Sequence, residues 1–295
     1  MRGVSAPVKR APAVKARESV LLFPAVAMLA GFFVLPILLT VYYSFTNLAL
    51  TGENAKNLQY VGIQNYTELL EDPSLYISIF NTIIFLIGSL VGQQILGFVL
   101  AAFMKNKNKT FRRFVGSCIL AGWVMPEIVA ALCFSAFFGD SGTINIILKF
   151  LHLKTVEWLY QFPMLTVILA NIWHGTAFSM MNFQSALDSV PGEIVDAAKV
   201  DGAGRLQNLI WIVLPSIKNN IATNTLLNTL STLGVFGLVY TMTGGGPGTK
   251  TLTLPVFMYK EAFVSYQLGY GTAISMILLV IGILFSVIYI RLTGE

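Results

Sequence analysis

The sequence predicts an all-α integral membrane protein with six transmembrane helices, and three observations support this prediction. Only 11% of the 295 residues are charged and 55% are hydrophobic, whereas about a quarter of the residues in a soluble domain carry charge. The charged residues are grouped into blocks, and the uncharged runs between the blocks are long enough to cross a hydrocarbon core of about 30 Å as helices. Basic residues are concentrated beside two of these runs.

The uncharged runs give the approximate positions of the six predicted spans. They are residues 20–45, 79–103, 114–138, 163–186, 217–241 and 269–291, and the third of them continues past one charged residue, Glu127. The first run is long and lacks a small-residue cleavage pattern, so we expect it to remain as a span and not to be removed as a signal peptide. Because the number of spans is even, both termini are expected on the same side of the membrane.

Basic residues in the short loops predict which side that is. The N-terminal tail, residues 1–18, has five basic residues and one acid, and the loop after the second span has five basic residues and no acid. Such loops face the cytoplasm, so we predict a cytoplasmic basic tail, cytoplasmic termini and a cytoplasmic loop at residues 187–216. These loops account for most of the net charge of +5, so no nucleic-acid partner is predicted.

The loop at residues 187–216 is unusually polar for a connection between two apolar spans. Pro191 suits the first turn of a helix, and Glu193 follows it near the positive end of the helix dipole. Gly202 permits a backbone reversal, after which a second helix runs to Pro215. The loop is therefore predicted to form a helix, a turn and a helix along the membrane surface.

The same loop resembles the EAA loop of permease subunits of ATP-binding-cassette (ABC) importers. In that loop Glu-Ala-Ala is followed by Asp-Gly-Ala and later by Leu-Pro; here residues 196–198 read Asp-Ala-Ala, residues 201–203 read Asp-Gly-Ala, and residues 214–215 read Leu-Pro. Asp196 therefore replaces the usual Glu. The resemblance implies five residues that couple the permease to an ATPase: Asp196, Ala197, Ala198, Asp201 and Gly202. An ordinary loop helix is the alternative.

Further motifs narrow the resemblance to the carbohydrate-uptake permeases of the maltose and glycerol-3-phosphate type. They are Val-Gly-Ile-Gln-Asn-Tyr at residues 61–66, Asn81-Thr82, and Thr-Gly-Gly-Gly-Pro at residues 243–247, which contains the Gly-Gly-Pro signature. The resemblance implies the type I ABC importer permease fold over residues 19–295. It also implies a multi-pass location in the cytoplasmic membrane of a bacterium or archaeon.

The resemblance further implies a transport mechanism and a set of partners. A sugar or oligosaccharide would enter the cytoplasm by alternating access, driven by two cytosolic ATP-binding subunits. A second permease subunit would form a heterodimer with this chain, and an extracytoplasmic substrate-binding protein would deliver the carbohydrate. The sequence contains no Gly-x-x-x-x-Gly-Lys-Ser/Thr nucleotide-binding motif, so ATP hydrolysis is assigned to the partner subunits. No cofactor or metal site is predicted.

Ionisable residues inside the predicted spans are candidates for the substrate pathway, because they are costly there unless they face a cavity or a partner. Glu127 lies near the middle of the third predicted span, and His174 lies midway along the fourth. A glutamate satisfied by the backbone or by the partner subunit, and a histidine that is simply buried, are the alternatives. The sequence leaves open whether the two residues pair.

The resemblance adds substrate-binding positions on the spans that flank the loop at residues 187–216. They are His174, Gly175, Phe178, Asn228, Ser231 and Thr232, which join Glu127 as substrate-binding candidates. An aromatic face stacks on sugar C–H groups, and Asn, Ser and Thr exchange hydrogen bonds with hydroxyls. Asn and Thr also join helices to each other, which is the alternative for Asn228 and Thr232.

The absence of Lys and Arg from the predicted span cores favours a neutral oligosaccharide over an anion such as glycerol-3-phosphate. Two other classes of protein were considered. A secondary transporter predicts an internal repeat and paired broken helices, and a membrane-embedded enzyme predicts clustered catalytic groups. The sequence shows neither pattern, so a permease subunit powered by another chain is favoured.

Overall fold

The structure, a computed structural model, describes residues 22–105 and 107–293. The predicted basic tail, residues 1–18, therefore lies outside the described residues. Within them the regular structure is helical, and the β-type pairing is an isolated bridge between Thr46 and Tyr60. The prediction of an all-α chain is confirmed.

Twelve helices of the described chain are numbered in order here. They are α1 Leu22–Ser44, α2 Gln64–Glu71, α3 Pro73–Lys105, α4 Lys109–Val124, α5 Glu127–Phe138, α6 Thr143–Phe150, α7 Pro163–Asp188, α8 Gly192–Val200, α9 Lys218–Leu233, α10 Gly237–Thr243, α11 Leu254–Tyr259 and α12 Leu268–Thr293. Five segments are long and apolar enough to cross a membrane, and there are six if the bent pair α9–α10 is one span.

The region of the third predicted span contains a helix break at Met125 and Pro126. Met125 has an extended backbone with ψ of 133°, and α5 begins at the next residue after Pro126. Proline has no N–H to continue the helical hydrogen bonds, and its ring disfavours helical geometry in the residue before it. Glu127 therefore lies at the start of α5, whereas counting along the uncharged run placed it near the middle of a continuous span.

The fifth predicted span also departs from a straight helix. Helices α9 and α10 meet at an angle of 47° across a break at residues 234–236. Gly234 is the C-terminal cap residue of α9, and the α-helix does not continue beyond it. The two breaks, in the third and fifth regions, lie close together because α5 and α10 pack against each other.

Helices α3 and α7 pack against each other extensively. Gly88 and Gly92 of α3 leave room for the side chains of Ile168 and Ile172 on α7. A Cβ atom on Gly97 would lie only 2.5 Å from Cβ of Ser179. Small residues permit such an approach of two helix backbones within a membrane.

A polar layer crosses the bundle between two buried apolar clusters. Towards the N-terminus of α3 one cluster includes Phe85 together with Ala170 of α7, and towards the C-terminus of α3 the other includes Ala101 together with Met180 of α7. Between them the buried residues of α3, α7 and α9 are largely polar: Ser89, Gln93, Asn171, Thr176, Ser179, Asn224, Asn228, Thr229 and Thr232. Buried polar groups need partners, so this layer is where a polar solute is best accommodated.

The motif Asn81-Thr82 anchors the loop that carries Gly-Gly-Pro. The Asn81 side chain donates hydrogen bonds to the carbonyl oxygens of Thr249 (2.7 Å) and Leu252 (3.2 Å). The N–H of Leu254 donates to Oγ1 of Thr82 at 2.9 Å. The loop after α10 is therefore tied to α3 by side-chain hydrogen bonds, in addition to its own turn geometry.

Candidate substrate cavity and coupling helix

A cavity of about 230 Å³ lies within the polar layer, between α3, α4, α5, α7 and α9. All seven residues predicted to bind substrate line it: Glu127, His174, Gly175, Phe178, Asn228, Ser231 and Thr232. The other lining residues are Gln93, Trp123, Asn171, Leu227 and Val235. The structure thus brings the predicted positions together in one place, and their role in binding stays a prediction.

His174 connects α7 to the helix break. Its Nε2 atom lies 3.1 Å from the carbonyl oxygen of Met125, which the break leaves outside the regular helical pattern. A carbonyl oxygen only accepts hydrogen bonds, so this contact assigns the proton to Nε2. Among the described residues His174 and Glu127 form no ion pair. The hydrogen bond of His174 instead joins the helix break at Met125 to α7.

Glu127 lines the cavity from the first turn of α5 and is half-buried. A Cβ atom on Gly237, the first residue of α10, would lie 3.1 Å from Oε2 of Glu127. The carboxylate therefore rests against the backbone of α10 in space that only a glycine leaves open. None of the residues that line the cavity is Lys or Arg.

Two aromatic rings form one side of the cavity. The ring centroids of Trp123 and Phe178 are 5.8 Å apart, and the ring planes are tilted by 32°. Trp123 was not predicted from the sequence, because an aromatic residue in an apolar run also suits a lipid-facing position. Trp123 lies three residues before Pro126, and this position is the feature of the sequence that could have placed it beside the helix break.

Asn228 belongs to a hydrogen-bond network that joins three helices. Its side-chain nitrogen donates to Oγ of Ser179 on α7 at 2.9 Å and to the carbonyl oxygen of Asn224 at 3.0 Å. The side chain of Asn224 donates to Oε1 of Gln94 on α3 at 2.9 Å. The side-chain nitrogen of Asn228 thus joins helices to each other, which was the alternative to substrate binding. Its side-chain oxygen accepts no hydrogen bond in the described structure.

Gln93 and Asn171 were missed by the sequence analysis, although both line the cavity. Only 2% of Gln93 and 3% of Asn171 is exposed. Gln93 donates through Nε2 to the carbonyl oxygen of Asn171 at 2.9 Å, whereas Oε1 of Gln93 and Nδ2 of Asn171 have no hydrogen-bond partner among the described residues. Unpaired buried polar atoms are rare and mark sites of function or strain.

Gly175 has a clear structural reason to be glycine. A Cβ atom at this position would lie 2.6 Å from Cδ of Gln93. Gly175 therefore leaves space for the Gln93 amide beside α7, so its contribution to the cavity is made through Gln93. A glutamine in an apolar span is itself costly, and that signal was available in the sequence.

The five predicted coupling residues lie on and directly after α8, outside the cavity. Asp201 caps α8, and Gly202 follows with φ of 87°. The N–H of Ala203 donates to the carbonyl oxygen of Ala198 at 2.9 Å, and that of Gly202 donates to Lys199 at 3.1 Å. This pair of bonds is the Schellman motif, which requires a left-handed residue that glycine supplies at little cost.

The surface of α8 combines charged and apolar groups. Asp196 forms an exposed ion pair with Lys199, with Oδ1 and Nζ 2.8 Å apart. Ala197 is exposed, Ala198 is buried, and the Val200 side chain next to the turn is 87% exposed. The exposed part of α8 therefore carries both charged and apolar side chains.

The loop that carries α8 is firmly attached to the bundle. Arg112 of α4 pairs with Asp188 at 2.8 Å, and Nζ of Lys105 donates to the carbonyl oxygen of Leu187 at 2.9 Å. The Asn208 side chain donates to the carbonyl oxygen of Val195 at 3.1 Å, joining α8 to the following helical segment. Polar contacts thus join the C-terminal end of α7 to α3 and α4, and α8 to the helical segment that follows it.

The helices and the candidate spans define a multi-pass membrane protein. The chain belongs to the family of binding-protein-dependent transport system inner membrane components, whose sequence profile matches residues 93–293. The predicted family resemblance and the predicted membrane location are thereby confirmed.

Relatives resemble the chain over most of its length. The multiple sugar-binding transport system permease protein of Streptococcus mutans is 32% identical over 272 residues, covering 90% of each chain. The sulfoquinovosyl glycerol transport system permease protein of Agrobacterium fabrum is 29% identical over 275 residues, covering 92% of this chain and 88% of the relative. The trehalose/maltose transport system permease protein of Thermococcus litoralis is 28% identical over 278 residues, covering 92% and 91%.

A solved structure shares the fold. One chain of a bacterial alginate ABC transporter, crystallised in complex with an alginate pentasaccharide-bound periplasmic protein, superimposes with a TM-score of 0.81. The superposition covers 95% of both chains at 19% sequence identity. The predicted type I ABC importer permease fold is therefore confirmed.

Proposed function

We propose that this chain is the transmembrane permease subunit of an ABC importer that moves a neutral sugar or oligosaccharide into the cytoplasm. The observation that carries the proposal is the composition of the cavity. It combines amide and hydroxyl groups with the neighbouring aromatic rings of Trp123 and Phe178, and it contains no Lys or Arg. Such groups suit the hydroxyls and the C–H faces of sugars.

The size of the cavity supports a shared binding site. Its volume of about 230 Å³ is below the range of about 300–1,000 Å³ that is usual for pockets of small-molecule ligands. This subunit then provides one wall, for about one sugar ring, and a second, different permease subunit provides the rest. The partner also supplies the remaining helices of the translocation pathway.

The exposed position of α8 supports the proposal that other subunits supply the energy for transport. Two cytosolic ATP-binding subunits would each receive one such helix, and their closure would drive alternating access. In this arrangement the loop with α8 and both termini are cytoplasmic, and a substrate-binding protein docks on the opposite side. Residues Asp196, Ala197, Ala198, Asp201 and Gly202 transmit the movement to the bundle.

An uptake screen in proteoliposomes tests this proposal. The chain is reconstituted with its partner permease, the ATPase subunits and the binding protein. Radiolabelled maltose, trehalose and arabinotriose are compared with their derivatives oxidised to a carboxylate at one primary hydroxyl, and with glycerol-3-phosphate. We expect ATP-driven uptake of at least one neutral sugar, about tenfold or more above that of the anions. One unfavourable electrostatic interaction of modest energy between an anion and the cavity is enough for this ratio. Uptake of anions alone would contradict the proposal.

A further inference from the structure

The charge of Glu127 is not neutralised within the described structure. The ion pairs of the described residues join Arg112 to Asp188 and Lys199 to Asp196, at a distance from the cavity. His174 uses its Nε2 atom on the carbonyl oxygen of Met125, so that nitrogen does not donate to the Glu127 carboxylate. Glu127 is the acidic residue among those that line the cavity.

The position of Glu127 on α5 stabilises a negative charge. It is the first residue of the helix after Pro126, where free backbone N–H groups and the positive end of the helix dipole meet. On its other side the carboxylate lies next to Gly237, since a Cβ atom there would be 3.1 Å from Oε2. The carboxylate is therefore held at the cavity wall and is partly open to the cavity.

We propose that Glu127 is a charge filter that decides which sugars pass through the cavity. Its carboxylate accepts hydrogen bonds from the hydroxyls of a neutral sugar, and such charge-assisted bonds are stronger than neutral ones. The same carboxylate repels a sugar that carries a carboxylate, sulfate or phosphate group, and the repulsion is stronger at this half-buried position than in bulk water. The inference rests on the proposed function and adds the residue that sets the charge of the substrate.

The substitution Glu127→Gln tests the filter, because it removes the charge and nearly preserves the shape. The probes are the neutral sugar taken up best in the screen above and its carboxylate derivative. Binding is measured by isothermal titration calorimetry on the purified permease–ATPase complex without the binding protein, and transport is measured in proteoliposomes. Without the binding protein, the selectivity that is observed belongs to the cavity.

We expect the preference for the neutral sugar over its carboxylate derivative to fall about tenfold or more in Glu127→Gln, since one repulsive charge pair is lost. Asp140→Asn is the matched control: it removes an exposed acid outside the cavity and should leave the preference unchanged. Glu127→Asp retains the charge and should retain most of the preference.

Three results would count against the filter. An unchanged preference in Glu127→Gln overturns it, and so does an equal loss in Asp140→Asn, because the effect would then come from the overall charge. Failure of Glu127→Gln to assemble with the partner subunit, while Glu127→Asp assembles, would assign the carboxylate to a subunit contact and also overturn it. Absence of ATP-driven uptake of every neutral sugar by the unaltered complex would instead refute the proposed function.

Discussion

Replacement of Gly202 by valine is expected to abolish ATP-driven transport while leaving the membrane bundle folded. Gly202 has φ of 87° at the turn that ends α8, and a side chain in this left-handed region costs about 1–2 kcal/mol, more for a β-branched residue. No atom lies within 4 Å of an added Cβ at Gly202, so no packed neighbour holds the backbone in this conformation. We therefore expect the strain to be relieved by unwinding of the last turn of α8. The surface formed by residues 196–201 is then lost.

The measurement is co-purification of the tagged ATPase subunits, followed by ATP hydrolysis and thermal unfolding of the complex. Gly248→Val is a suitable control, since Gly248 also has a positive φ, 61°, and open space at the position of an added Cβ. It carries the same kind of strain in a loop far along the chain from α8. Stoichiometric retention of the ATPase by Gly202→Val would contradict the assignment of α8 as the coupling helix.

Replacement of Gly97 by valine is expected to destabilise the bundle strongly. An added Cβ would lie 2.5 Å from Cβ of Ser179 and 2.9 Å from the backbone nitrogen of Met180. Backbone atoms cannot move aside cheaply, so α3 and α7 would have to separate. Overpacking of this kind costs about 1–3 kcal/mol or more, and it would also disturb Gln93, one helical turn away in the cavity wall.

Thermal unfolding of the purified complex in detergent measures this effect. We expect Tm to fall by about 5 °C or more, given the usual relation of a few degrees per kcal/mol. Gly282→Val on α12 is the matched control, because nothing lies within 4 Å of an added Cβ there. Equal Tm values for the two variants would show that the close contact of α3 with α7 does not stabilise the bundle.

Patterns along the chain predicted the helical class and the two ends of α8 because these depend on local chemistry. Uncharged runs must be helical in a membrane, where every backbone group needs a partner. Pro191 and Gly202 bound α8 in the structure, since their backbone preferences are intrinsic. The aspartate side chain at position 196, where Glu is usual, is long enough to form the exposed ion pair with Lys199. Exposed pairs of this kind contribute little to stability.

The breaks and the hidden cavity residues were harder to predict, because they depend on contacts between distant segments. Met125 and Pro126 carried a local signal, but the uncharged run passes through them, so the region was counted as one span. The contact of Gln93 with Asn171 joins residues 78 positions apart. It depends on Gly175, whose missing Cβ makes room for the Gln93 amide, and no spacing along the chain reveals that.

The most direct test of the central claim is the energy source of transport. The chain is reconstituted in proteoliposomes with its partner permease and binding protein, with or without the ATPase subunits, and uptake of the neutral sugar from the screen is measured. We predict accumulation only when the ATPase subunits and internal MgATP are present, with no change when proton and sodium gradients are collapsed. Accumulation by this chain alone, driven by an ion gradient, would contradict the claim and identify a secondary transporter.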